Sequence, residues 1–329
     1  MKRELLMAQA LRTPWAIVPE TGEVMLGVLT RWQGGGQAPD EDLRDARAVR
    51  EARDTRRMQA GGPRGGIAVI PVYGVIAPKV NLISDFSGGA TCQGISSALR
   101  EALADDAVSQ ILLDLDSPGG SVAGVSELAS EIMQARTQKP IIGIANHEAG
   151  SAAYWLAACC TELHCSPSGS VGSIGVWCAH QDVSKAMENE GVKTTLVSAG
   201  RYKTEGNSFE PLSGEARDFI QSTIDTYYRS FVAAVARGRG VSIDTVRNGF
   251  GAGRMLTAGS AKAEGMVDSV TDFNSLVKDM QSRPRSSRTT RMGALSASTV
   301  PLLDQTAIAR RRTTESNRRA LDLLEVSSR

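Results

Sequence analysis

A chain of 329 residues is long enough for one large domain or two smaller ones around a sizeable core. Lys plus Arg (37) nearly balances Asp plus Glu (36), so the average charge points to neither nucleic acid nor an anionic membrane surface. No apolar run approaches the roughly 20 residues of a membrane span, and the start has no apolar core suited to a secretory signal, so a soluble cytoplasmic protein is expected.

The first 65 residues read as an N-terminal arm and a charged linker. Trp15-Ala16-Ile17-Val18-Pro19 and Val24-Met25-Leu26-Gly27-Val28-Leu29 are short apolar patches suited to packing on something larger. Gly34-Gly35-Gly36 then breaks the chain, and Glu41 to Arg57 interleaves acids and bases with almost no apolar face, as a solvated helix or disordered linker does.

A domain spanning 66–280 begins where the composition changes. Ile67 to Ile76 predicts a buried strand, Thr91 to Asp105 a helix on the spacing of Ile95, Leu99 and Leu103, and Ile111 to Asp116 a second buried strand. Ser117-Pro118-Gly119-Gly120 ends that strand, Val125 to Gln134 is again helical, and Pro140 to Ala145 is a third strand that delivers the chain to Ser151. Strand and helix alternating through short connections argue for stacked parallel βαβ units, whose active groups lie beyond the strand carboxyl ends. Farther on, Glu162 to Cys165 reads as a short strand, Gly169 to Val176 as a small-residue turn entering an apolar stretch, and Val183 to Asn189 as a helix. Thr194 to Ser198 predicts a strand that ends at Gly200-Arg201-Tyr202-Lys203, and Ser213 to Arg237 a long amphipathic helix. The segments 241–246, 261–265 and 267–270 finish the domain. Residues 281–329 form a Ser-, Thr- and Arg-rich tail, read as disordered and scaffold-like, in which Ala320 to Leu324 suits a short docking helix. Beyond Gln281 ten arginines against four acids leave the tail at +6 and the remainder at −5.

Ser151 is the candidate nucleophile. Gly150, Ala152 and Ala153 leave room beside it for a substrate backbone, and Tyr154 to Ala158 reads as the start of a buried helix, so the serine would sit where free N–H groups can stabilise an oxyanion. A plain helix N-cap serine has the same local pattern. Its base is open at this level. His180, 29 residues downstream, could complete a Ser-His-Asp arrangement with Asp114, Asp116 or Asp182. His147 stands four residues before the serine, and His164 suits a structural role in a short strand. Lys203 could serve if a desolvated pocket kept its amine neutral, although a solvated surface position is the ordinary fate of a lysine. The five cysteines are odd in number, without CxxC pairs or scaffold density, and read as mostly buried thiols, so zinc is not expected.

Asp116-Ser117-Pro118-Gly119-Gly120, Ala149-Gly150-Ser151-Ala152-Ala153-Tyr154, Gly172-Ser173-Ile174-Gly175-Val176 and Gly200-Arg201-Tyr202-Lys203 occur in that order. Together they resemble the signal peptide peptidase A family of serine peptidases. Gly206 to Leu212 and Pro14 to Pro19 look more like its phage and prophage head-maturation branch. The resemblance covers about residues 67 to 275, with an N-terminal echo, and four ordered motifs are far more specific than one. It implies a ClpP/crotonase-like α/β fold, with Ser151 as nucleophile, Lys203 as general base, Ser173 orienting the lysine, and Gly119 with the Ala152 N–H as oxyanion hole. It also implies an acyl-enzyme, no ATP, cofactor or metal, and a ring-shaped homo-oligomer, with two arrangements left open: serine and lysine of one site from the same chain, or from neighbouring copies. Expected substrates are scaffold, capsid or portal polypeptides, with the chain's own tail among them, in the host cytoplasm at assembling heads. Small or apolar residues are expected before the cleaved bond, in a peptide bound by strand addition. The family's usual Ser-Gly-Gly is Ser151-Ala152-Ala153 here, which narrows the site, and the membrane anchor of the cellular members is missing, which favours an assembly role over signal-peptide clearance. A cytoplasmic housekeeping peptidase and a non-catalytic assembly protein whose basic tail docks on an acidic capsid surface are the alternatives.

Overall fold

The computed structural model describes Met7, Ala10, Leu11 and residues 13–33, 66–79 and 89–283. The charged run 41–57 and the tail helix expected at Ala320 to Leu324 lie outside these residues.

In the arm, β1 (Trp15–Ile17) leads into α1 (Pro19–Gln33). The sheet is built from β2 (Ile67–Tyr73), β3 (Gln110–Ser117), β5 (Ile141–Gly150), β6 (Glu162–Cys165) and β9 (Ser269–Val270) in the order β2-β3-β5-β6-β9, all parallel. βαβ crossovers account for this topology, with α2 (Cys92–Ala104) between β2 and β3 and α3 (Val125–Ala135) between β3 and β5. Both helices are amphipathic: α2 is capped by Thr91, whose side chain accepts from Gly94 N–H, and buries Ile95 and Leu99, while α3 buries Leu128 and Ile132.

The strand that carries the chain to Ser151 is longer than its apolar run suggests. The first half of β5 pairs with β6, and its last residues, Glu148 to Gly150, pair with β7 (Ser170–Gly172). Between the halves the register against β3 shifts, from Leu115↔Ala145 to Ser117↔Ala149, so Asn146 to Glu148 bulge away from the ladder. β7 is closed on its other side by the antiparallel β8 (Met255–Thr257).

One face of the sheet packs on α2, α3, α4 (Ala152–Ala157) and the C-terminal half of α6 (Gly214–Arg239), with Trp155 and Phe231 stacked at 4.6 Å between ring centroids. The other face is covered by Leu276 and Met280 of α9 (Phe273–Ser282), which pack on Leu112, Ile142 and Ile144. Buried on both faces, the central strands read as continuous apolar runs. α7 (Ile243–Asn248) and α8 (Ala258–Ala263) complete this unit.

The segment between β7 and α6 departs from expectation. α5 (Ser184–Asn189) forms where helical spacing places it, but it buries none of its residues. No strand forms over 194–198: these residues find no ladder partner, and Val197 is 95% exposed. Without a neighbouring edge the β-branched residues there have nothing to pack against, and the local preference goes unused. Among the described residues no helix is long and apolar enough to cross a membrane. Cys92, Cys159, Cys160 and Cys165 are buried free thiols and Cys178 is half-buried.

Candidate active site

Ser151 sits at the turn from β5 into α4 with φ 51° and ψ −112°. A positive φ is rare for a residue with a Cβ and costs about 1–3 kcal/mol, so it persists only where surroundings over-determine it. They do: Ser151 N–H donates to Gly172 O at 2.8 Å, and Trp155 N–H donates to Ser151 O at 2.9 Å. The hydroxyl makes no N-cap bond to α4. It points instead across to the β7 turn, with a long contact of 3.4 Å to Gly175 O. The plain N-cap role open at the sequence level is therefore not the one this serine plays.

The turn that receives it is also strained. Ser173 has φ 53° and lies buried, its N–H donating to Arg254 O at 2.9 Å. Gly172 before it has φ +132°, and a Cβ there would meet Arg254 O at 2.4 Å.

Gly119 faces the same turn from β4 (Gly119–Ser121) with φ +101°. A Cβ on it would lie 2.9 Å from Gly150 O and 3.0 Å from Ala152 N, so a side chain would fill the corner beside the Ala152 nitrogen. Ser117 Oγ braces this loop by donating to Gly74 O at 2.6 Å and accepting from Gly119 N–H at 3.2 Å.

Ser151, Ala152, Gly119 and Ser173 thus converge within one chain. The candidate bases do not join them. Lys203 is exposed, in a turn closed by its own N–H to Gly200 O at 3.1 Å. That turn is tied to the start of α6, where Glu215 accepts from Arg201 at 3.2 Å and from the Tyr202 hydroxyl at 2.9 Å. His180 Nε2 lies 3.0 Å from Asn207 O, in the same projecting segment. Among the proposed orienters, Asp182 accepts from Ser184 N–H at 2.9 Å at the start of α5, and Asp114 is engaged by the Tyr73 hydroxyl and Asn146. His147, on the β5 bulge, pairs with Asp116 at 3.2 Å and is 73% exposed. His164 is structural, with Nδ1 2.7 Å from Ser269 Oγ, and its burial pushes the imidazole pKa down.

Carboxylates act on one another at the β5 bulge. Burial pushes the Glu148 carboxyl above the usual range, and the charges of Asp116 and Glu20 push it further. Asp116 is likewise raised, by burial first, against the opposing pull of His147.

Some parts of the site were not read from the sequence: the Gly175 carbonyl that receives the serine hydroxyl, the Arg254 carbonyl that holds the Ser173 turn, and the arm strand β1, which lies against Gly119–Ser121. Backbone acceptors leave no residue-type signal.

Residues 133–285 match the peptidase family S49. The chain is 35% identical over 259 residues to the head-tail preconnector protein GP5 of Enterobacteria phage P21, covering 75% of this chain and 51% of that protein. It is 31% identical over 251 residues to capsid assembly protease C of Escherichia phage lambda, covering 73% and 57% respectively. With protease 4 of Salmonella typhi it shares 30% identity over 214 residues, 65% of this chain and 34% of that one. The chain thus spans little more than half the length of the phage relatives it matches. Among solved structures, a membrane-bound stomatin-specific protease aligns at a TM-score of 0.41 and 16% identity, covering 65% of this chain and 84% of that one. The chain belongs to peptidase family S49, the matched segment running from the end of α3 past α9.

Proposed function

We propose that the chain is an ATP-independent serine endopeptidase that acts on phage head proteins during maturation. The observation that carries this reading is Ser151, held at positive φ on a strand-to-helix turn with its hydroxyl uncapped and Gly119 opposite. In the reaction Ser151 Oγ attacks the scissile carbonyl as its proton passes to the Lys203 amine. The oxyanion is stabilised by the Ala152 N–H and the Gly119 loop, and the protonated lysine then gives its proton to the leaving amine. Water, deprotonated by the same lysine, hydrolyses the acyl-enzyme and regenerates the hydroxyl. Ser173, buried in the adjoining turn, orients the amine.

In a single chain Lys203 stands on the exposed projection rather than beside Ser151, which favours a site completed by a neighbouring copy. The projection and α6 display Val192, Val197, Tyr202, Phe209 and Phe219, each more than a third exposed. Such apolar surface on one segment suits a homo-oligomeric contact. One relative is named a capsid assembly protease and another a head-tail preconnector protein, and scaffold, capsid or portal polypeptides, with the chain's own tail, are the substrates we assign, in the host cytoplasm.

Labelling with a fluorophosphonate probe tests the nucleophile. The oligomer is expected to label once per active serine and Ser151→Ala not at all; equal labelling of both would overturn the assignment. Replacing Lys203 by Ala is expected to lower kcat by at least about 10³-fold, whereas His180→Ala is expected to leave kcat within about twofold. The reverse pattern would make the histidine the base.

A further inference from the structure

Residues 14–18 run over the Ser151 turn as an extended strand bonded on both edges. On one edge β1 pairs antiparallel with β4, Trp15 opposite Ser121, Ala16 opposite Gly120 and Ile17 opposite Gly119. The ladder is extended by Val122 N–H donating to Pro14 O at 3.2 Å and Val18 N–H donating to Pro118 O at 2.9 Å. On the other edge Trp15 N–H donates to Trp177 O at 2.8 Å, Trp177 N–H donates to Trp15 O at 2.9 Å, and the Trp177 indole donates to Ile17 O at 3.1 Å. Main-chain bonding on two sides, with alternate side chains sent to opposite walls, is how a groove holds an extended peptide.

The placement over the chemistry is specific. The Ala16 carbonyl oxygen lies 2.2 Å from the point a Gly119 Cβ would occupy, and Ala152 N lies 3.0 Å from the same point. The Ala16 carbonyl therefore fills the glycine corner beside the N–H assigned to the oxyanion. Two residues on, Val18 crosses Gly150, the residue before the serine, so closely that a Cβ on Gly150 would sit 2.5 Å from Val18 Cγ2. Trp15, Ala16 and Ile17 are each at most 1% exposed. No second polypeptide can reach Ser151 along this path while the arm is in place.

We propose that residues 14–18 are an internal occupant of the polypeptide groove, lying in the direction a substrate takes with Ala16 at the carbonyl position, and that substrate enters when the arm withdraws. The identity of the groove rests on the peptidase reading above. The occupant also reports what the groove accepts: an extended peptide with a small residue at the place of Ala16 and a large apolar one at the place of Trp15. Tethering through α1, which is anchored by Met25 and Leu29 in the cluster around Trp15, gives the arm an effective concentration on the order of mM. Free peptides of ordinary affinity are excluded until assembly or a bound head protein draws the arm away.

The test uses the full chain and a fluorescent decapeptide of residues 11–20. Ala16→Asp puts a charge at a site of no exposure and expels the strand. Val18→Pro, a milder second variant, removes the donor to Pro118 O. Each is prepared with Ser151→Ala so that binding is measured without turnover. Either variant, if it retains a cooperative melt, is expected to bind the peptide at least about 10-fold more tightly than the parent arm. Equal binding by parent and folded variants, or none by either, would overturn the proposal. In the Ser151-containing background the same variants are expected to label faster with fluorophosphonate. Peptide binding without any labelling would sink the hydrolase reading and leave the groove assignment supported.

Discussion

Gly119 is the residue on which the site turns, because its lack of a side chain serves three contacts at once. With φ +101°, and with Ala16 O, Gly150 O and Ala152 N at 2.2, 2.9 and 3.0 Å from a would-be Cβ, the alanine variant must distort the loop braced by Ser117. Gly119→Ala is expected to lower kcat/KM by about 10²-fold or more and to destabilise by about 1–3 kcal/mol. A wild-type rate in a purified Gly119→Ala oligomer would show that the corner is not used. Glu148 gives a second residue-scale test. Its carboxyl is raised in the folded chain, by burial first and then by Asp116 and Glu20. The folded state therefore holds the proton more tightly than the unfolded one, and stability falls as pH rises from the ordinary carboxylate range through the folded pKa. Glu148→Gln is expected to flatten that fall and to raise Tm at neutral pH relative to acid. A steeper fall would reverse the sign argued here. The positive φ at Gly119, Ser151 and Ser173 falls on small residues of ordered motifs, where a backbone requirement leaves a mark in the sequence, whereas the acceptors Gly175 O and Arg254 O are main-chain atoms that any residue supplies.

Among the elements, the helices were legible where burial on one face imposed a period, and the central strands where burial on both faces made a continuous apolar run. The helix predicted over Thr91 to Asp105 forms as Cys92–Ala104, and the long helix predicted from Ser213 begins at Gly214 with Ser213 Oγ accepting from Ala216 N–H at 3.1 Å. Its far end is locked by Arg239, whose guanidinium donates to both oxygens of Asp268 at 2.7 and 2.9 Å, while Leu163 N–H donates to Asp268 at 2.7 Å. Burial alone would raise the Asp268 pKa, but the Arg239 bonds and the Leu163 N–H outweigh it and hold the carboxyl below its usual range. A depressed carboxylate contributes stability above its unfolded pKa and loses it as pH falls through the folded value. Asp268→Asn is expected to cost about 1–2 kcal/mol in urea unfolding at neutral pH, less than a fully buried pair because Asp268 is 42% exposed, and to cost less in acid. A pH-independent loss would point to packing. The strand expected at 194–198 failed for the converse reason: local β preference was real, but no edge lies beside it, and pairing is a property of two segments.

At the scale of the whole molecule, the order of the motifs proposes a set of site residues but cannot say whether one chain or two would supply them, since chain order holds no information about a neighbour. The geometry sharpens that question. Ser151 is buried at the end of β5, whereas Lys203 is exposed on a segment whose helix buries nothing within its own chain. If the projection of one copy delivers its lysine to the serine of the next, two inactive proteins can repair each other. Ser151→Ala and Lys203→Ala chains, co-expressed or unfolded and reassembled together, would form closed rings of random composition. At equal mixing a site needs an intact serine from one chain and an intact lysine from its neighbour, so about a quarter of wild-type kcat is expected per site, with each parent at background. A dyad completed within one chain would leave the mixture as inactive as its parents. Replacing Val197, 95% exposed, by Lys should then abolish the repair along with the assembly, because a buried unpaired charge at the contact is costly, while leaving the fold of the single chain unchanged by circular dichroism.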